Sequence, residues 1–114
     1  RYLKVNVQMA LKIARKTKGR ARHKWAFHCA VVVRGSNVLA IANNRDEVHA
    51  EVAALNSLWP SERKGTKVYS MRVGRKGQFA MAKPCPHCER YMRESGVKAV
   101  YYTNESGEMD TMRL

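Results

Sequence analysis

At 114 residues the chain is long enough for one domain with its own core, without a disulfide framework to hold it. Its 22 Lys and Arg outnumber 9 Asp and Glu, leaving a formal charge of +13 that favours polyanionic partners. No apolar run approaches the ~20 residues of a membrane span and no charged-then-apolar leader opens the chain, which argues for a soluble, cytoplasmic protein with no membrane partner.

In chain order, Val7, Ala10, Leu11 and Ala14 recur at helical spacing and predict an amphipathic first helix ending near Gly19. Residues 25–34 are rich in β-branched side chains and predict a strand; Gly35-Ser36-Asn37 reads as a turn and residues 38–42 as the returning strand. Residues 48–59 predict a second helix with Val52, Leu55 and Trp59 on one side, stopped by Pro60. Residues 67–73 predict a third strand, and Gly74-Arg75-Lys76-Gly77 turns the chain into a connection delivering Pro84. Pro86 suits the first turn of a helix that runs to about Ser95 and closes at Gly96. Residues 97–103 predict a fourth strand, and beyond the Asn104–Gly107 turn the last seven residues can add a short antiparallel one. A strand, helix and strand in succession pair in parallel through a right-handed crossover. The expectation is a single α/β domain over residues 1–114, with a mixed sheet of about five strands and helices on its faces.

The charge is unevenly placed. Residues 1–45 contain eleven Lys and Arg and no acid, and Lys12, Arg15, Lys16, Lys18, Arg20, Arg22 and Lys24 fall within thirteen residues. So one-signed a third of the chain points to nucleic-acid contact. Cys29, an odd thiol in an apolar run, is expected to be a buried small hydrophobe in a reducing compartment.

His49-Ala50-Glu51 and, 33 residues later, Pro84-Cys85-Pro86-His87-Cys88 carry the chemistry. Cys85 and Cys88 are three apart, so in a first helical turn their side chains share a face. A catalytic zinc takes three protein ligands and keeps the fourth position for water. His49, Cys85 and Cys88 are the candidate ligands of Zn²⁺, with Glu51 the carboxylate that faces the water. A structural zinc site is the alternative, and it needs a fourth ligand from Cys29, His23, His28 or His87. Both halves of the motif open helices, whose positive ends favour thiolate. The H-x-E…P-C-x-x-C order is the signature of zinc-dependent nucleobase deaminases.

With Asn44, the two zinc motifs and Gly96-Val97-Lys98-Ala99-Val100-Tyr101-Tyr102, the chain resembles the zinc-dependent cytidine and deoxycytidylate deaminase superfamily, APOBEC-like polynucleotide deaminases included. The resemblance runs from the first helix to Tyr102. It implies a three-layer α/β/α sandwich, zinc on His49, Cys85 and Cys88, and Glu51 as the proton carrier. It further implies a sugar contact from Asn44, or from Asn43 if the strand slips by one, and places Ala50 and Pro84 at the substrate. Dimers or tetramers are common in the superfamily. Two features depart from it: only four residues separate Asn44 from His49, so the pocket mouth is more open. Lys83 also stands where tRNA adenosine deaminases carry Glu, which weakens an adenosine reading.

The reaction implied is attack of water on C4 of cytosine and departure of ammonia, leaving uracil. Asp46 and Glu47 precede the second helix and read as its N-terminal charges rather than as catalysts. The segment before the first strand, residues 18–25, is basic and ends in an aromatic. Arg20, Arg22, His23 and Lys24 suit a run of phosphates, with Trp25 available for stacking a base or for packing on the sheet. A cytosine in single-stranded DNA or RNA is the leading substrate at this stage, and free deoxycytidine or its monophosphate the alternative. A catalytically silent zinc module that binds nucleic acid ranks last, because all the catalytic parts are present.

Overall fold

The computed structural model describes residues 27–43, 49–74, 76 and 78–114, together with residue 12. Apart from residue 12, the expected first helix and the basic segment before the first strand lie outside these residues.

Strand β1 (Phe27–Arg34) and strand β2 (Asn37–Asn43) form a hairpin in which Arg34 pairs with Asn37 across a two-residue turn. Gly35 holds φ 60° there, a left-handed value that glycine adopts without a Cβ penalty and that two-residue hairpins need. Helix α1 (Ala50–Asn56) and the single turn α2 (Pro60–Arg63) follow, then strand β3 (Lys67–Val73). The short strand β4 (Phe79–Ala80), helix α3 (Pro86–Ser95) and strands β5 (Ala99–Thr103) and β6 (Met109–Arg113) complete the described chain.

The sheet is mixed and runs β2-β1-β3-β5-β6, with β4 beside β3. Among the described strands only β3 and β5 are parallel, joined by the crossover through α3; the remaining pairs are antiparallel. Among the described residues the sheet has six strands, in line with the expected mixed sheet of about five. The extra one is β4, whose two residues pair with Arg72 and Val73; so short an element leaves no alternation to read in the sequence.

Side chains alternate across the sheet and make two cores. Ala30, Val32, Val68 and Val100 face α1 and α3, where they meet Ala54, Leu55, Cys88 and Met92. Cys29, Val31, Val33, Tyr69, Met71, Val73 and Tyr101 form the other face, and Tyr69 stacks on Tyr101 with ring centroids 5.0 Å apart. Cys29 is completely buried in this second core as expected, and burial pushes its thiol up to about 12.

The second helix is shorter than its apolar spacing predicts. It ends at Asn56, and Ser57 turns its hydroxyl onto the Ala54 carbonyl at 2.6 Å. Leu58, not Trp59, completes the buried side, and Trp59 is 77% exposed. Pro60 does more than stop a helix. It opens α2, whose first turn is braced by Glu62 Oε1 accepting from the Trp59 backbone N–H at 2.9 Å. Among the described residues no helix is long and apolar enough to cross a membrane.

Candidate metal centre

The two motif halves meet where α1 and α3 begin. His49 is the residue before α1; its carbonyl accepts from Ala53 at 3.0 Å, and its imidazole takes no part in capping. Cys85 is the N-cap of α3, with Pro86 first in the helix and the Cys85 sulfur accepting from the Cys88 backbone N–H at 3.4 Å. That N-cap places Cys88 in the first turn, on the same side as Cys85. At the other end Gly96 takes φ 89° and closes the helix, its N–H bonding Arg93 O while Val97 N–H bonds Met92 O, both at 3.1 Å.

His49 Nδ1 lies 3.0 Å from Cys88 Sγ and 3.7 Å from Cys85 Sγ, and the three donor atoms all fall within 4.8 Å of one another. Zinc bonds of about 2.1 Å to nitrogen and 2.3 Å to sulfur, at tetrahedral angles, put donors roughly 3.6–3.8 Å apart. One nitrogen and two sulfurs gathered this closely could hold a zinc ion. The candidates for a fourth ligand do not join them: His87 is exposed on α3, Cys29 belongs to the opposite core, and His28 is engaged by Ser70. His23 lies outside the described residues.

Burial pushes the Cys88 thiol well above its ordinary range, helped by hydrogen bonding from Cys85 and the charge of Glu51. A bound divalent cation reverses that preference, since a coordinating thiol gives up its proton.

Glu51 lies in the first turn of α1, 1% exposed, with Oε1 lacking a hydrogen-bond partner among the described residues. Burial raises its carboxyl above the usual carboxylate range, against the opposing pull of its own backbone N–H, His49 and Arg72. A carboxyl raised in this way gives up its proton less readily than a free one and so can return it, as general acid–base catalysis requires.

Sequence reasoning missed the floor of this site. His28 on β1 and Ser70 and Arg72 on β3 project toward Glu51 from the sheet. His28 Nε2 is 2.7 Å from Ser70 Oγ and 3.4 Å from Glu51 Oε1. Ser70 spends its one hydroxyl proton on Ala82 O at 3.0 Å, so the His28 nitrogen is the donor in their pair. Burial, then the charges of Arg72 and His49, push the His28 imidazole down to about 4, so it is neutral beside Glu51. The available signal was the alternation itself: His28, Ser70 and Arg72 occupy the α1-facing positions of strands that are otherwise apolar there.

Of the other expected site residues, Ala50 and Pro84 are buried next to the candidate ligands they adjoin. Asn43 pairs with Cys29 and therefore projects on the sheet face away from the metal centre, so the structure does not bring it to the site. Asn44, Trp25, Arg20, Arg22, His23 and Lys24 lie outside the described residues.

Comparison with curated protein sequences gives no match. Among solved structures the chain is similar to a dCMP deaminase from the cyanophage S-TIM5 in apo form. The two are 23% identical, the match covers 85% of this chain and 81% of that one, and the TM-score is 0.59. At that identity the likeness speaks for the fold. The family model for the cytidine and deoxycytidylate deaminase zinc-binding region matches residues 3–104, a span that takes in His49, Glu51, Cys85 and Cys88. The chain belongs to the cytidine and deoxycytidylate deaminase family, zinc-binding enzymes of hydrolytic deamination.

Proposed function

We propose that the protein converts cytosine to uracil on a phosphate-bearing cytidine or deoxycytidine unit, with Glu51 as the proton carrier. The observation that carries the reading is the buried Glu51 carboxyl, its proton affinity raised by burial, beside the His49–Cys85–Cys88 donor set. His49, Cys85 and Cys88 would hold the zinc. When bound, the ion supplies a water whose pKa is lowered from about 15.7 toward about 7.

The protein's own steps are proton movements. Glu51 takes a proton from the attacking water and delivers it to N3 as C4 becomes tetrahedral. It then receives the remaining hydroxyl proton and hands it to the exocyclic amine, which leaves as ammonia. Protons balance, and the carboxylate is regenerated. Such acid–base help is worth about 10²–10⁴ in rate. His28, neutral and anchored on Ser70, keeps the acid in a dry, fixed position. Ser70 extends that anchor to Ala82, three residues before Cys85, so acid and ligand segment share one brace.

A free cytidylate is the first substrate reading, supported by the family and by the named activity of the cyanophage relative. Cytosine within a single strand is the second, favoured by the eleven cations and no acids of residues 1–45. The discriminating experiment offers the zinc-loaded protein deoxycytidine, its monophosphate, and cytosine-bearing single-stranded DNA and RNA, and measures uracil from each. Turnover of the monophosphate alone supports the first reading. Turnover of the strands with the monophosphate untouched supports the second. Uracil from none of them overturns both.

A further inference from the structure

A second concentration of chemistry lies on the sheet face away from the metal centre, at the opposite end of the parallel strands. Lys67 and Ala99 are the first residues of β3 and β5, and they pair with each other. Ala99 also pairs with Arg113 on β6, so Lys67, Ala99 and Arg113 form one row across three strands. The methyl group of Ala99 leaves a notch between two long cationic side chains. Tyr101 and Thr111, paired in the next row, back it with their hydroxyl-bearing side chains. Lys98 completes the lining of a cavity of about 230 Å³.

Among the described residues, three positive groups and no carboxylate line this space. Among the described residues, neither the Arg93–Glu89 ion pair nor the close His28–Glu51 contact involves Lys67, Lys98 or Arg113. Two of the cations are held rather than loose. The Lys67 ammonium sits 6.0 Å over the Tyr101 ring, which is itself stacked on Tyr69. The Lys98 stem runs over Gly65, where a Cβ would meet its Cε at 3.6 Å. The Lys98 backbone is clamped too, its N–H donating to Thr66 O and its carbonyl accepting from Leu114. Like charges gathered over a small residue repel one another unless an anion lies between them.

We propose that this notch binds linked phosphates. Lys67 and Arg113 stand two strand spacings apart, about 10 Å between backbones. A ligand meeting both is served better by successive phosphoryl groups than by a lone oxyanion. Guanidinium takes phosphate oxygens in pairs and ammonium supplies a point charge, so the two ends suit adjoining groups. The same chemistry is offered by the diphosphate of a small molecule and by the sugar-phosphate backbone of a single strand. The proposal does not depend on the deamination reading, because neither Glu51 nor the metal ligands take part.

The test titrates the zinc-loaded protein at low salt with orthophosphate, pyrophosphate and an abasic deoxyribose-phosphate tetramer, following backbone amide shifts. Ala99 and Thr111 amides should move and saturate with a linked-phosphate probe at least tenfold more readily than with orthophosphate. The Glu51 and Cys88 amides should stay still, which separates this site from any action of the probe on the metal. Lys67→Ala with Arg113→Ala, both on exposed side chains, should weaken binding at least tenfold. For the strand, the log–log salt slope should fall by about 1.4 units at ~0.7 per contact. Arg90→Ala with Arg93→Ala removes equal charge from α3 and should change affinity less than threefold. Saturation by the tetramer alone assigns the backbone, and by pyrophosphate alone the small molecule; either supports the site. Equal losses in the two double variants, or no saturable shift at Ala99 and Thr111 with any probe, overturn it.

Discussion

His28 sits 3.4 Å from Glu51 Oε1 with its Nε2 hydrogen given to Ser70, so the acid's buried neighbour is a neutral imidazole rather than a cation. The arrangement keeps Glu51 from being locked in an ion pair, which would hold its carboxyl in the charged form.

Its cost is acid sensitivity. The folded His28 titrates near 4 and the unfolded one near 6.5, so between these values the unfolded chain binds a proton that the folded chain refuses. This contribution to stability is complete above pH 6.5 and is lost as pH falls toward 4. The gap between the two values sets the loss at up to about 3 kcal/mol. Urea unfolding at pH 7 and 4.5 should show a steeper fall in wild type than in His28→Gln. Parallel falls would remove His28 as the cause.

Zinc affinity should depend on pH for a related reason. The Cys88 thiol is protonated in the metal-free protein at neutral pH and must give up that proton on binding. Competition titrations between pH 6.5 and 8 should show log affinity rising by about one unit or more per pH unit. A flat profile would mean that Cys88 is not a ligand.

Much of this was legible in the sequence, and what was not has a physical cause. Strand β3 was read to the residue because Val68, Tyr69, Met71 and Val73 mark it and Gly74 ends it. Helix α3 was read equally well from Pro86 and Gly96, residues whose backbone restrictions act locally. Local rules failed where tertiary packing decides. Trp59 has helical spacing, but the helix ends before it and leaves it in solvent. The His28–Ser70–Glu51 contact joins three elements across 42 residues, and no short-range pattern announces it. The zinc motif was readable because chemistry fixes its spacing: three donors must converge whatever surrounds them.

Gly96 gives a direct test of the turn that follows α3. Its φ of 89° disfavours any Cβ, and a Cβ there would come within 3.1 Å of the Lys64 Cα. Gly96→Ala should cost about 1–2 kcal/mol or more and lower Tm by roughly 5–10 °C, with zinc content unchanged. An unaltered Tm would contradict the assigned conformation.

The basic segment can be tested without a structure of it. If Arg20, Arg22 and Lys24 grip phosphates, replacing all three with Ala should reduce the salt slope for single strands by about two units, at ~0.7 per contact. Activity on a strand should fall with it, while activity on free deoxycytidine should barely change. Wild-type affinity and slope in the triple variant would leave the segment a solvated face and favour the free nucleotide.

The most direct test compares wild type with Glu51→Ala, each confirmed to carry one zinc per chain, by uracil formation on whichever cytosine substrate the wild type turns over. Glu51 is assigned no metal bond, so the variant should keep its zinc and fold while losing a factor of about 10²–10⁴ in rate. A zinc-loaded Glu51→Ala protein that deaminates at the wild-type rate would contradict the account.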